Sequence, residues 1–77
     1  MKVISVKHIR TEGTGPLDWR FFVEVEIESG FLFKKTHKRQ YGRPYVGFWR
    51  DLETGEYAKD SICNAIKAFA LREGLDL

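Results

Sequence analysis

The chain has 77 residues, and its 13 Lys and Arg outnumber its 11 Asp and Glu to give a formal net charge of +2. This length predicts one domain with a small core, which leaves little room for an enclosed active site. No apolar run reaches the roughly 18 residues of a membrane span, and the first residues lack the apolar stretch of a signal peptide. The lone Cys63 excludes an internal disulfide and is typical of a reducing compartment, so we expect a cytoplasmic protein without a membrane partner.

The first predicted strand covers residues 2–10, which are rich in β-branched side chains. Ile4, Val6 and His8 are predicted to share one face of this strand. A loop is predicted at 11–16, because glycine accepts a positive φ and proline lacks the backbone donor of a sheet ladder.

The second predicted strand, residues 18–28, alternates with a period of two, which predicts one buried and one exposed face. The buried side chains would be those of Trp19, Phe21, Val23, Val25 and Ile27, and the exposed ones those of Arg20, Phe22, Glu24, Glu26 and Glu28. A three-residue loop at 28–30 is predicted to lead into a third strand that runs to about Lys38, because this register keeps apolar residues beside apolar ones and acids beside bases. The resulting pairs are Ile27 with Phe31, Val25 with Phe33 and Glu24 with Lys34.

The next residues are predicted to alternate between turns and short strands. Residues 39–43 are predicted to form a loop or hairpin tip, and residues 45–50 a further strand. A turn is predicted at 51–55, where the side chain of Asp51 can bond its own backbone, and a very short strand at 56–57.

The last predicted element is a helix with Asp60 or Ser61 as its N-cap and Gly74 as its C-terminal stop. Its apolar face would consist of Ile62, Ala65, Ile66, Phe69 and Ala70. A helix of about three turns is marginal alone, so it must pack on the sheet, and we expect it on the odd-numbered side of residues 19–27. The predicted fold is α+β: a three- to four-stranded antiparallel meander with one C-terminal helix packed on one face.

Side chains suited to catalysis or metal binding follow no known pattern. His8, His37 and Cys63 lie far apart and lack the short spacing of zinc motifs. Cys63 would lie in the first helical turn, where the helix dipole lowers a thiol pKa, or it would face the core as a small hydrophobe. Neither an acid–base pair nor a glycine-rich phosphate loop is indicated. We therefore expect no enzymatic activity, no metal, no cofactor and no small-molecule substrate.

The charge is distributed unevenly along the chain. Residues 1–33 sum to −1, residues 34–50 to +6 and residues 51–77 to −3, and we call residues 34–50 the basic segment. Cations neutralise phosphates, and Gln40 and Arg43 can donate hydrogen bonds to base edges, so this segment predicts a small module that binds nucleic acid, above all duplex DNA. The candidate contact residues are Lys34, Lys35, Thr36, Lys38, Arg39, Gln40, Tyr41, Arg43 and Arg50.

Two other interpretations of the basic segment stay open. A lysine-rich strand can serve only to keep a sheet edge solvated and unpaired. Alternatively, the acidic strand and the basic segment form a bipolar surface that docks a protein partner or a second copy of the chain. Exposed Phe22 and Leu32 side chains would support the docking interpretation, because apolar residues on a solvated face often mark an interface.

The stretch Gly42–Tyr57 contains an aromatic strand and an Asp-x-x-Thr-Gly turn, and an alanine-bearing helix follows at 65–69. Over residues 18–73 the chain resembles the arm-type or AP2-like N-terminal DNA-binding domains of phage and transposon tyrosine integrases. The resemblance implies a sheet whose open face enters the major groove, and an accessory factor of a phage or mobile element. It would place four residues near the DNA: Lys34, Thr36, Lys38 and Arg50.

Overall fold

A computed structural model describes residues 2–13, 15, 18–30, 32–75 and 77. The elements are β1 (Lys2–Thr11), β2 (Trp19–Ser29), β3 (Lys35–Pro44), β4 (Arg50–Asp51) and α1 (Asp60–Glu73). The four strands form one antiparallel sheet in the order β1-β2-β3-β4. The predicted α+β class, with a meander sheet and one C-terminal helix, is confirmed.

The core lies between α1 and one face of β2. Val23 and Val25 of β2 are completely buried, and Ile62 and Ile66 of α1 are buried against the same cluster. Phe21, Ile27, Tyr41 and Trp49 complete the buried cluster. The helix therefore covers the odd-numbered side of β2, as the period-two pattern predicted. We call the opposite side the open face of the sheet.

The ends of α1 confirm one prediction and correct another. Gly74 adopts a left-handed conformation with φ of 68°, and its N–H donates to the carbonyl of Ala70, which is the predicted C-terminal stop. The predicted N-cap is wrong, because Lys59 holds that position and makes no side-chain capping bond with any described residue. Asp60 is instead the first helical residue, where its carboxylate interacts favourably with the helix dipole.

The predicted register of the β2–β3 hairpin is wrong by six residues. The observed pairs include Ser29 with Lys35, Ile27 with His37, Val25 with Arg39 and Val23 with Tyr41. The connection between Ser29 and Lys35 is therefore longer than predicted, and Phe33 is not part of a strand. This register places the buried Tyr41 ring in the core, so the core is completed by Tyr41 and the helix, while Leu32 and Phe33 are exposed. Phe31, for which a pair with Ile27 was predicted, lies outside the described residues.

The same register corrects the two elements predicted next. Residues 39–43 are not a loop, because β3 continues through them to Pro44. Residues 45–50 are not a strand, since only Arg50 pairs with β3 and the chain bends at 45–47. The very short strand predicted at 56–57 is present as a single bridge between Arg50 and Tyr57.

An irregularity in β1 changes which residues face the core. The pairing with β2 shifts between Val3 and Ser5, and a shift of one residue reverses the face of every side chain beyond it. As a result Val3 and Val6 both pack against the core, while Ile4 is 46% exposed. The prediction that Ile4 shares a face with Val6 is therefore wrong.

Two predicted exposures near the start of β2 are reversed. The pairing with β3 shifts between Trp19 and Phe21, and the Trp19 side chain is 44% exposed instead of buried. Its ring lies beside Gly42, where a Cβ atom would approach it to 3.0 Å. Phe22, predicted to be exposed, is only 6% exposed, and the Arg10 guanidinium lies 4.1 Å from its ring centroid.

Candidate nucleic-acid interface

The first half of the basic segment alternates between the two faces of the sheet. Directly opposed residues of antiparallel strands share a face, so the partners of the three β2 glutamates lie on the open face. These partners are Gln40 opposite Glu24, Lys38 opposite Glu26 and Thr36 opposite Glu28. The helix side of β3 carries Lys35, Arg39, Tyr41 and Arg43. The predicted contact residues are thus not all brought to one surface.

Arg39 is held by the turn that follows β4. Its Nη1 donates to Asp51 Oδ2 over 2.8 Å and to Glu53 Oε2 over 3.4 Å. The hydrogen bond and charge of Asp51 raise the pKa of Arg39. Asp51 also accepts backbone N–H bonds from Glu53 and Thr54 through Oδ1, as predicted for this turn. Arg39 therefore stabilises the β3–β4 connection.

Two other cations of the basic segment contact the protein's own aromatic side chains. The Arg43 guanidinium lies 4.7 Å from the Phe21 ring centroid and 5.4 Å from that of Trp49. Arg50 donates to the Tyr57 hydroxyl over 2.6 Å and lies 4.3 Å from the centroid of that ring. Cation–π contacts of this kind hold the two arginines against the fold, which reduces their freedom to meet a phosphate.

The Tyr41 side chain lies in the core and not at the surface. The side chain is 5% exposed within the core cluster, and burial raises the pKa of its phenol. A buried ring cannot stack on a base, so Tyr41 acts in packing rather than in contact with a ligand.

The lysines at the β2–β3 turn form the accessible cationic surface. We call Lys2, Lys34, Lys35 and Lys38 the basic hairpin end. All four side chains belong to exposed residues, and the single ion pair among them is a 3.7 Å contact between Lys34 and Glu28 with the lysine side chain 66% exposed. Lys35 and Lys38 form no ion pair with any described residue. This part of the predicted site remains available to a polyanion.

Lys2 was missed from the sequence, because only the β1–β2 register brings it to this end. It lies opposite Glu28, and Glu28 in turn lies opposite Thr36. Lys7 lies opposite Glu24 in the same way, further along the open face. Each glutamate of β2 thus has a lysine on a neighbouring strand, so the middle of the open face is close to neutral. At the hairpin end the four lysines outnumber the two nearby glutamates, Glu26 and Glu28.

Cys63 is half-buried in the first turns of α1. Its side chain packs against the core cluster, and the thiol donates to the Ala58 carbonyl over 3.7 Å. Burial, followed by the nearby charge of Asp60, raises the pKa of the thiol. The interpretation of Cys63 as a core hydrophobe is therefore favoured over a dipole-activated nucleophile.

We expect Cys63 to react several-fold more slowly with a thiol-alkylating reagent at pH 8 in the folded protein than in urea. Only the thiolate reacts, and a raised pKa lowers the thiolate fraction at every pH below it. The measurement is the alkylation rate followed by mass spectrometry. Equal rates in the two states would contradict the burial of this side chain.

Within the described ranges, no three His, Cys, Asp or Glu side chains are grouped so that they could hold a metal ion. No described helix has the length and apolarity needed to cross a membrane. The chain matches no protein-family profile, no curated protein and no solved structure.

Proposed function

We propose that the protein is a non-enzymatic module that binds duplex DNA through the basic hairpin end. The observation that carries this proposal is the exposure of Lys35 and Lys38, neither of which forms an ion pair with a described residue, although Glu26 lies opposite Lys38. The arginines of the basic segment are used within the fold, so these lysines supply the accessible charge. Phosphates of a duplex are their natural partner because each neutralised phosphate releases counterions.

The dimensions of the hairpin end suit a linear polyanion. Lys35 and Lys38 are separated by three residues of a strand, or about 10 Å, and Lys2 lies two strands away, which adds about 10 Å across the sheet. Phosphates of duplex DNA recur about every 3.4 Å of helix axis along each strand. Because Lys35 lies on the helix side of β3 and Lys38 on the open face, these cations lie on both sides of the hairpin end, where a duplex that meets this end has phosphates beside each of them.

The glutamates of β2 are expected to limit the affinity for DNA. Glu26 and Glu28 are half-buried beside the lysines and repel the same phosphates that the lysines attract. At physiological salt this repulsion is screened beyond about 8 Å, so its effect is local. We therefore expect weak binding that depends steeply on salt.

The test is a titration of a labelled duplex of about 25 bp followed by fluorescence anisotropy, from about 50 to 200 mM NaCl. The double variant Lys35→Gln/Lys38→Gln is expected to lower the slope of log K against log salt by about 2, since each lost phosphate contact contributes about 0.9. At about 100 mM salt the affinity should fall at least tenfold.

The matched control is the double variant Lys59→Gln/Lys67→Gln, which removes two exposed lysines at and beyond the start of α1. It should leave the slope nearly unchanged. If wild-type protein fails to bind DNA at low salt, or if both double variants lower the slope equally, the proposed function is wrong.

The family resemblance adds a biological role to this proposal. A sheet-plus-helix module that binds DNA would serve as a cytoplasmic accessory factor of a phage or mobile element. Of the residues that the resemblance implies, Thr36 and Lys38 lie on the open face, and Lys34 lies in the loop beside it. Arg50 is held by Tyr57. We therefore assign the DNA contact to the hairpin end rather than to the whole open face.

Docking of a protein partner or a second copy is the second candidate function. Leu32 is 81% exposed, which favours it, whereas Phe22 is buried and cannot contribute. Size-exclusion chromatography with light scattering separates the two candidates. A tight dimer that protects Lys34 and Lys38 from acetylation would favour docking, while a monomer that binds DNA would favour the first proposal.

A further inference from the structure

The β2–β3 hairpin continues past the hydrophobic core. The last buried residue of β2 is Ile27, and two further residues, about 7 Å of strand, follow before the loop begins at Gly30. The loop then presents Leu32 and Phe33 with exposed fractions of 81% and 83%. These are the two most exposed large hydrophobic side chains of the described chain, and they are adjacent.

Gly30 sets the path of this loop. Its φ is 107°, a region that residues with a Cβ rarely adopt, and a Cβ there would collide with the carbonyl of Phe33. The loop therefore turns tightly around Gly30 and returns directly into β3 through Lys34. Leu32 and Phe33 are exposed in this connection, and Lys34 and Lys35 follow them directly in the chain.

An exposed apolar pair at a loop tip differs from a single exposed residue such as Leu71, which is common on any surface. Leu32 and Phe33 contribute nothing to the core, and exposing two large side chains forgoes the free energy that burying them would provide. The adjacent Lys34 and Lys35 indicate which kind of partner would bury these two apolar side chains. The partner must be anionic at its surface and apolar just beneath it.

We propose that Leu32 and Phe33 form an apolar wedge that enters the minor groove and partly unstacks one base step, which kinks the duplex. This inference rests on the proposed function and deepens it. Duplex DNA has the required chemistry, with phosphates along the groove edges and stacked bases at its floor. Lys34 and Lys35 contact the phosphates that flank the groove, while the wedge contacts the base pair edges and the opened step.

Anionic lipid has a similar chemistry, but the positions of the lysines favour DNA. Lys38 lies about 10 Å behind Lys35 along β3, so it would stand away from a bilayer that only the tip enters. A duplex bent towards the major groove keeps wrapping along the protein, which brings further phosphates to Lys38. Pyrimidine–purine steps unstack most easily, so the wedge is expected to prefer them.

The experiment uses a duplex of about 25 bp with a central TA step, fluorophores at both ends and, in a second copy, 2-aminopurine at that step. Wild-type protein at saturation is expected to increase end-to-end energy transfer and to raise the 2-aminopurine emission as the base unstacks. The variant Leu32→Ser/Phe33→Ser should still bind with the same salt slope, about tenfold more weakly, and produce neither change.

The matched control is Val46→Ser/Phe48→Ser, which removes two apolar side chains that are 62% and 75% exposed in the loop between β3 and β4. It should bend the DNA like the wild type. Circular dichroism confirms that each variant is folded, and the single substitution Phe33→Ala replaces the double variant if that one unfolds.

Each result bears on a different part of the proposal. DNA binding without bending, or bending that survives Leu32→Ser/Phe33→Ser, overturns the wedge and leaves the proposed function standing. Absence of DNA binding overturns both. If the wild type binds phosphatidylserine vesicles through Leu32 and Phe33 and leaves the duplex unbent, the tip is a lipid-binding element and the wedge is again overturned.

Discussion

Ile66→Ala is expected to lower the free energy of unfolding by about 3 kcal/mol, the largest single effect we predict for this fold. Ile66 lies at the middle of α1 with 1% of its surface exposed, packed against the central strand. Its loss removes buried apolar surface and leaves a cavity that the surrounding side chains fill only in part. A domain of this size has a small free energy of unfolding, so little of it should remain in the variant.

Urea denaturation measures this loss, with tryptophan fluorescence as the signal because the Trp49 side chain is 8% exposed in the folded state. Leu71→Ala is the matched control, since Leu71 lies on the same helix with 76% of its surface exposed. Its effect should remain within about 0.5 kcal/mol. Similar midpoints for the two variants would contradict the packing of α1 on the sheet.

Asp51→Ala is expected to cost about 2 kcal/mol of unfolding free energy, the next largest effect. Asp51 is 8% exposed and makes three hydrogen bonds: two accepted from the N–H groups of Glu53 and Thr54, and one accepted from Arg39. Its removal leaves two backbone donors of the turn without their acceptor and removes the shorter of the two hydrogen bonds of Arg39. The β3–β4 connection should loosen first, because this turn holds it.

Two further variants separate the contributions of Asp51. Asp51→Asn keeps an oxygen for the backbone N–H groups and loses the charge, so it should cost about half as much as alanine. Glu53→Ala removes the second acceptor of Arg39, whose carboxylate side chain is 79% exposed, and should cost less than about 0.5 kcal/mol. Urea denaturation of the three variants measures the loss of unfolding free energy in each. A loss for Glu53→Ala as large as that for Asp51→Ala would show that the charge, rather than the turn, is what Asp51 contributes.

Local patterns predicted the features that depend on neighbours in the chain. The period of two in β2 correctly marked Val23 and Val25 as core residues, and the helical spacing marked Ile62 and Ile66. Gly74 was identified as the helix end because few other residues adopt its conformation readily. These predictions succeeded because backbone geometry alone determines which side chains share a face.

The hairpin could not be predicted from local patterns. The apolar run at 31–33 offered a pairing that matched apolar with apolar residues, but Val25 pairs with Arg39 and Ile27 with His37. The buried Tyr41 takes the place opposite Val23, since the helix closes the core at that position. The choice between two registers depends on how much apolar surface the whole domain buries, and part of that surface belongs to α1. A short stretch of sequence does not contain the residues of both the hairpin and α1, so it cannot predict the register.

The candidate site was predicted in part for the same reason. Composition alone identified a surplus of positive charge at 34–50, and the lysines at the hairpin end remain exposed. Arg39 is paired with Asp51, and Lys2 joins the hairpin end from the edge strand β1. Charge along the chain is a property of the sequence, but charge in space depends on which side chains long-range pairing brings together. The sequence by itself therefore determined the fold class and the excess of cations, while the tertiary structure decided which cations stay free.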